Sequence, residues 1–449
     1  MRWSKRHNYH RCGESFAHSH RHAKLRAVIF ALACYGTRGD VEPGVAVADE
    51  LRRRGHEVRM AVPPDLVSFV ETAGLPAVAY GLDERAILEA QRNFSACLSR
   101  EPWKVKKLIS LWREISALTS LSWGEVTTAL KSLANGADLL ITGMMFDHSA
   151  ANIAEYYGIP LATMHFFPVR PNGQVVPFLP APLVRSALTA SEWIGWRIAK
   201  KADDIQRSEL GLPESTGPLS QWISKHQSLE IQAYDDVFFP GLAAEWGQHG
   251  NQRPFIGTPT MELSTDVDDE VLSWITAGPP PIFFGFGSIS VKSPSDTLGM
   301  ISEVCEYLGE RAIVCAGWSK FSDIPHSQHL KVVEAVNYAA VFPACRAVVH
   351  HGGMGTTAAG LRAGVPTIIL SGWLDQMVWV PHLKRLKVGF GRRFSSANQK
   401  TLIADLQRIR APQYASRAQE LATRIIKPAE SASAAADLIE NCARSWRDG

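Results

Sequence analysis

The segment His350-His351-Gly352-Gly353-Met354-Gly355-Thr356-Thr357 gathers residues suited to holding an anion. It follows an apolar strand pattern, Ala347–His350, and precedes a helical pattern, Thr356–Ala363. The three glycines let backbone approach a ligand closely, and the unpaired N–H groups at a helix start attract phosphate. His351 adds a hydrogen-bond donor. Thr356 and Thr357 add hydroxyls that either donate to a ligand or cap the helix, the plain alternative being a Gly-rich turn with a Thr cap. Eighteen residues after Thr357, beyond strand Thr367–Leu370, comes Asp375-Gln376. A carboxylate beside an amide can bridge vicinal hydroxyls, as a sugar offers. A third strand-ending loop, Gly285-Phe286-Gly287-Ser288, supplies a hydroxyl and backbone donors. Together the three loops describe a diphosphate and a polyol held side by side.

These loops need strands that end at one edge of a sheet. Leu25–Cys34, His56–Val62, Pro76–Tyr80, Asp138–Thr142, Leu161–His165 and Leu229–Ala233 have strand patterns, with helical patterns such as Pro43–Arg54 and His148–Tyr157 between them. A second series runs Ile282–Phe286, Ala312–Ala316, Lys331–Glu334, Ala347–His350 and Thr367–Leu370. Strands alternating with helices predict parallel sheets covered on both faces, hence an α/β protein of two Rossmann-like domains facing across a cleft. The division expected is a disordered basic extension at 1–24, a first domain at 25–240, a linker region at 241–281 rich in Pro, Thr, Asp and Gly from 257 onward, a second domain at 282–430, and a closing helix at 431–449.

In the first domain Gly36-Thr37-Arg38-Gly39-Asp40-Val41-Glu42-Pro43 joins a strand to the helix expected from Pro43. The Asp40 carboxylate can therefore face the cleft; alternatively it caps that helix or pairs with Arg38. His165, ending an apolar strand, lines the acceptor side of the cleft with Arg38, or else is a satisfied core histidine. The only D-x-D-like string, Asp266-Val267-Asp268-Asp269-Glu270, falls in the linker and reads as a solvated acidic loop, so no metal is expected.

Composition narrows the function classes. The chain has 449 residues and a net charge of +3, but residues 1–26 carry seven basic residues against one acid, leaving the body at −3. Such a body is poor material for binding nucleic acid. The seven cysteines are scattered without a CxxC pair, as expected of buried thiols in a reducing compartment. No apolar run approaches the ~20 residues of a membrane span.

GTRGDVEP at 36–43, GFGS at 285–288, the HHGGMGTT segment and Asp375-Gln376, in this order along the chain, resemble the family 1 nucleotide-sugar glycosyltransferases of GT-B fold. The likeness is greatest to the actinobacterial branch that glycosylates antibiotic aglycones and cell-surface lipids, especially mycobacterial glycopeptidolipid-type enzymes; sterol glucosyltransferases are also similar. The resemblance implies that His351 and the amides of Gly352, Gly353, Gly355, Thr356 and Thr357 hold the donor diphosphate, with Ser288 assisting. Asp375 and Gln376 would hold the donor sugar, and the backbone near Val336 and Asn337 would bracket the nucleobase. Asp40 would be the base that takes the acceptor proton as its oxygen attacks the anomeric carbon, inverting that centre. Where plant members place a Glu to grip the ribose, this chain has Ala359, compatible with a dTDP-sugar.

Two stretches, Trp103–Arg113 and Trp193–Lys201, mix aromatic, apolar and basic residues and could rest on an anionic bilayer or admit a lipid acceptor; surface helices with Trp inward and Lys outward are the alternative. The expectation is a cytoplasmic, metal-independent hexosyltransferase, peripheral at the inner face of the plasma membrane. It would use a UDP- or dTDP-sugar as co-substrate, no cofactor, and the hydroxyl of a glycopeptidolipid or similar glycolipid. The competing readings are a sterol or natural-product aglycone as acceptor, a nucleotide-sugar epimerase, and a non-catalytic scaffold of the same fold.

Overall fold

The computed structural model describes residues 27–82, 101, 103–247, 252–287, 293–317, 327–372 and 375–448, with isolated positions between them. Its twelve strands form two six-stranded sheets. In the first, β1 (Ile29–Ala33), β2 (Glu57–Val62), β3 (Ala77–Ala79), β4 (Leu139–Thr142), β5 (Leu161–His165) and β6 (Leu229–Gln232) lie in the order β3-β2-β1-β4-β5-β6. In the second, β7 (Ile282–Gly285), β8 (Ala312–Cys315), β9 (Leu330–Val333), β10 (Ala347–His350), β11 (Thr367–Ser371) and β12 (Gly389–Arg393) lie in the order β12-β11-β10-β7-β8-β9. Every pairing is parallel. Both orders reverse beside the first strand of the sheet, between β1 and β4 and between β7 and β10, and open α/β sheets bind ligands outside the carboxyl ends of strands at such points.

Burial on both faces explains the near-continuous apolar strands. Along β1, Phe30 and Leu32 enter the core shared with the Arg38–Arg53 helix, while Ala31 and Ala33 enter the opposite one, shared with helices Val105–Ala134 and Asp147–Tyr157. The last helix, Pro428–Asp448, returns to the first sheet, where Ala435, Ala436, Ile439 and Ala443 are buried in the first of these cores. Arg54 fastens it through Asp437 at 2.6 Å and Glu440 at 3.3 Å.

The chain thus passes between the domains twice. The crossings meet at Gly257, whose φ of +73° and close packing exclude a side chain: a Cβ would stand 2.7 Å from the Ile426 Cβ. Arg362 of the second domain donates to the Ile426 carbonyl at 2.9 Å, to the Thr260 hydroxyl at 3.1 Å and to the Thr258 carbonyl. Residues Tyr234, Phe238, Phe239, Leu242 and Trp246, which follow β6, are packed with Trp379, Leu383 and Met354 in an apolar cluster on the second domain.

Two sequence expectations differ from the structure. The first helix begins at Arg38, not Pro43, because Thr37 and Asp40 form a capping box that starts it five residues earlier. The acidic string at 266–270 is a solvated loop only in part: Asp266, Asp269 and Glu270 are exposed, but Asp268 opens a helix, Asp268–Thr276, and is buried, accepting from the Thr265 amide and hydroxyl and from the Asn337 amide. Acids favour a helix's first turn, which the composition of the linker masked.

Candidate functional site

β7 and β10 are neighbours, so the loops leaving them are adjacent at the point where the second sheet reverses. Gly287 has a φ of +54°, and a Cβ there would lie 2.4 Å from the Cε1 of His351. A Cβ on Gly353 would lie 2.6 Å from the His351 Nε2. The imidazole is thus held between two glycines, a packing that no other residue type permits. Gly317, at the end of β8, closes on the same loop, where a Cβ would meet the Gly287 carbonyl oxygen at 2.2 Å. Burial pushes the His351 pKa down to about 4, against a smaller opposing pull from the Gly285 carbonyl. The ring is therefore neutral at neutral pH. Its Nδ1 is buried and lacks a well-formed hydrogen bond among the described residues.

His350, beneath it, is fully enclosed; its Nδ1 accepts from the Gly352 amide at 3.1 Å, which places its proton on Nε2. Burial, with a smaller contribution from His351, pushes its pKa well below the ordinary value. Gly352, at φ +100°, packs against Ile369 and Gln376 and draws the glycine loop to the Asp375–Val378 turn. The helix that follows, Met354–Arg362, starts at Gly353 without a side-chain cap, so its first amides are open to a ligand. A side chain at Gly355 would meet nothing within 4 Å among the described residues.

Several expected ligand groups have partners within the protein. The Thr357 hydroxyl donates to the Gly353 carbonyl at 2.8 Å and the residue is fully buried, so it supports the helix start. Thr356, nearly buried, pairs with the Tyr338 hydroxyl. Gln376 accepts from the Gly372 amide at 2.9 Å through Oε1. Asn337 caps a short helix by accepting from the Ala339 amide at 2.9 Å, and donates through its own amide to Asp268 at 2.9 Å and through Nδ2 to the Glu262 carbonyl at 3.1 Å. Val336 is packed in the core. The Asn337 amide, expected to face a base, is thus occupied by the acid of the preceding helix. Ser288 and the side chain of Asp375 lie outside the described residues.

On the first domain the equivalent reversal lies at the ends of β1 and β4. Asp40 accepts through Oδ2 from the Thr37 amide at 2.8 Å and the Thr37 hydroxyl at 3.0 Å, as the capping alternative has it. Gly36, at φ +128°, makes room for that carboxylate, since a Cβ would approach Oδ2 to 2.5 Å. Asp40 remains half-buried at the rim. Its charge reinforces the burial that raises the Cys34 thiol to about 12. Arg38 pairs not with Asp40 but with Glu42 at 2.9 Å and lies over the Phe69 ring. The Arg38 charge acts on Cys315 and Tyr338, and that of Glu42 on Tyr338, so the start of the first helix faces the glycine-loop domain across the cleft. Tyr35, Tyr80 and Phe146 form an edge-to-face aromatic group at the same end of the first sheet, with ring separations of 4.8 to 6.1 Å.

His165 does not line the cleft. It is wholly buried, 3.4 Å from Gln232 and 4.0 Å from Glu230, and burial pushes its pKa down to about 3. The reason is an ion cluster invisible in the sequence. Glu230, fully buried, accepts from Arg170 Nε and Arg253 Nε, each at 2.6 Å, and Arg170 also faces Asp147 at 3.7 Å and Glu192 at 3.6 Å. Its members are too far apart in the chain for any spacing to reveal them. The roles of Gly287 and Gly36, by contrast, were signalled by their place in short strand-ending loops.

Comparison with known proteins agrees with this geometry. Residues 30–172 match the glycosyltransferase family 28 N-terminal domain, and residues 309–440 match the C-terminal domain of erythromycin biosynthesis protein CIII-like proteins. A protein of Mycobacterium tuberculosis described as an uncharacterized glycosyltransferase is 54% identical over 93% of this chain and 100% of its own length. A sterol 3-beta-glucosyltransferase of Arabidopsis thaliana is 28% identical, covering 78% of this chain and 57% of the plant protein. The crystal structure of the glycosyltransferase VinC in complex with dTDP superposes with a TM-score of 0.62 at 17% identity, covering 94% of this chain and 100% of that one. With two reversed parallel sheets and a glycine-clamped histidine at the switch point of the second, the chain belongs to the family 1 glycosyltransferases of GT-B fold, on their actinobacterial branch.

Proposed function

We propose that this glycosyltransferase moves a hexose or deoxyhexose from a UDP- or dTDP-sugar to a hydroxyl of a lipid-like acceptor, a glycopeptidolipid or similar glycolipid of the cell envelope. Transfer inverts the anomeric carbon, needs no metal, and takes place in the cytoplasm. The observation that carries the reading is the neutral His351 ring fixed between Gly287 and Gly353 beside an uncapped helix start. The donor diphosphate lies over the amides of Gly353 to Thr356, with His351 donating to it and Ser288 assisting. Asp375 and Gln376 take the sugar hydroxyls, and the base rests near Val336 and Asn337.

The acceptor oxygen attacks the anomeric carbon as the bond to the diphosphate oxygen breaks. The acceptor proton passes to the Asp40 carboxylate, and the nucleoside diphosphate leaves with the bonding pair. A carboxylate of ordinary pKa ~3.9 suits this only when proton transfer accompanies attack. The open amides and the positive end of the helix offset the charge that develops on the leaving group, the work a metal does elsewhere. Support for dTDP comes from the nucleotide bound by VinC and from Ala359. A sterol or natural-product aglycone is the second acceptor class, favoured by the Arabidopsis relative.

Thermal unfolding with saturating UDP, dTDP, GDP and ADP, each with EDTA, tests the donor site. Selective stabilisation by UDP or dTDP is expected, about 2.7 kcal/mol at one hundred times Kd; no stabilisation by any of them overturns the assignment. Asp40→Asn isolates the base, because asparagine still accepts the Thr37 bonds and keeps the cap. Transfer should be lost while the nucleotide effect persists; undiminished turnover removes Asp40 from the mechanism.

A further inference from the structure

The helix Ala181–Glu209 is amphipathic in the wrong sense for a helix surrounded by water. Its last turns bury polar residues: Asp203 and Gln206 accept from the Asn152 amide at 2.7 and 2.9 Å, Gln206 donates to Thr127 at 2.9 Å, and Arg207 donates to Asn152 at 2.6 Å. Its outward side carries Leu183, Ile194, Ile198 and Ile205, which are 59%, 60%, 64% and 53% exposed. Spacings of eleven, four and seven from Leu183 through Ile194 and Ile198 to Ile205 place them along one stripe over about six turns. Folding in water gains nothing from exposing four branched aliphatic side chains while burying an amide network, so the stripe calls for a non-aqueous neighbour.

Charge identifies that neighbour. Arg197 lies beside the stripe and the exposed Lys201 in line with it, and an open groove of about 590 Å³ at Ile205 is lined by these two, Lys200, Asp204 and Glu209. Lys200 is paired with Asp204, which leaves Arg197 and Lys201 facing outward. The same helical layer, on one face of the first sheet, includes Val105–Ala134, whose first turns expose Val105, Ile109 and Trp112 among Lys106 and Arg113, with exposed Trp103 and Lys104 just before it. Of the four tryptophans in the two stretches, Trp196 is buried, donating to Ser215 at 2.7 Å, Trp193 packs edge-on against it and Trp112 is about half covered, so the Trp-inward alternative fails outright only for Trp103.

We propose that the outward face of helix Ala181–Glu209 docks on an anionic phospholipid bilayer, the aliphatic stripe entering the interface and Arg197 and Lys201 meeting lipid phosphates. The orientation places the first domain, and not the glycine-loop domain, against the membrane.

Co-sedimentation of the full chain with vesicles tests this without donor or acceptor, so its outcome is independent of the glycosyl-transfer reading. Binding is expected to phosphatidylcholine vesicles containing phosphatidylglycerol, weaker binding to phosphatidylcholine alone, and a decline with salt. Ile194→Ser/Ile198→Ser and Arg197→Glu/Lys201→Glu should each weaken partitioning about tenfold or more. Thermal unfolding without lipid should be unchanged, which shows that the variants fold. No binding by the wild type, or binding that survives both double variants, overturns the proposal; the latter would place the contact elsewhere, as on the basic amino-terminal segment. A wild-type dimer in sedimentation velocity that the isoleucine variant dissociates would assign the face to a second copy instead.

Discussion

Gly287 and Gly353 fix the imidazole of His351 by having no side chain, so the smallest change there is felt as displacement of a ring. Gly287→Ala adds a methyl in a left-handed conformation and against His351, and should cost about 1–2 kcal/mol of stability and abolish the nucleotide effect. Gly355→Ala is the counterpart. Its Cβ meets nothing among the described residues, so stability should hold or rise by about 0.5–1 kcal/mol while donor binding weakens. Urea unfolding with and without nucleotide separates the two; equal behaviour would refute the clamp. The histidines also set an acid limit. His165 is pushed down to about 3, His351 and His382 to about 4, and His350 well below its ordinary value, all chiefly by burial. Unfolded histidines bind protons near pH 6.5 and the folded ones do not, so stability is full above that pH and is lost as pH falls toward 4. The slope is up to ~1.4 kcal/mol per pH unit for each. The Glu230 carboxyl, whose burial is outweighed by the charges of Arg170 and Arg253, sits at about 2 and loses its contribution only between about 4.5 and 2. His165→Gln should flatten the slope between pH 6.5 and 5 by one such increment, measured by urea unfolding across pH; an unchanged slope would remove His165 from the titration.

At the level of elements, the legible and the hidden divide along a physical line. Period-two and continuous apolar runs marked the strands from β1 to β11, because burial on both faces leaves no choice of residue. The glycine loops were legible because positive φ and close approach admit few alternatives. What escaped was decided by partners distant in sequence or by competition between local signals. Pro43 suggested a helix start, but the Thr37–Asp40 box overrode it, and Asp268 resembled a solvated acid until Asn337 came beside it. His165 looked available because nothing nearby foretold Glu230. The closing helix belongs to this scale too. Ile439 is fully buried against the first sheet's core, so Ile439→Ala should cost about 2–5 kcal/mol. Urea denaturation measures it, and a cost below 1 kcal/mol would mean the helix is loosely attached.

For the whole molecule, the two crossings at Gly257 and Ile426 make the second domain an insertion within the first. Arg362 gathers both crossings with one guanidinium, and the Tyr234–Trp246 segment lies against the second domain, so the parts meet through packed side chains and not through a free tether. Such an interface transmits strain and limits relative motion to what the packing allows. The returning helix has a consequence for synthesis. A chain leaves the ribosome from its amino end, at about 5–20 residues per second, and domains ordinarily fold in that order. Here the core around Phe30 and Leu32 waits for Ala435 and Ile439, so the domain made first is completed last. The stretch from the end of β6 to Ile439 takes roughly ten to forty seconds to synthesise, and for that time the core around Phe30 and Leu32, already covered in part by the Arg38–Arg53 helix, lacks its closing helix.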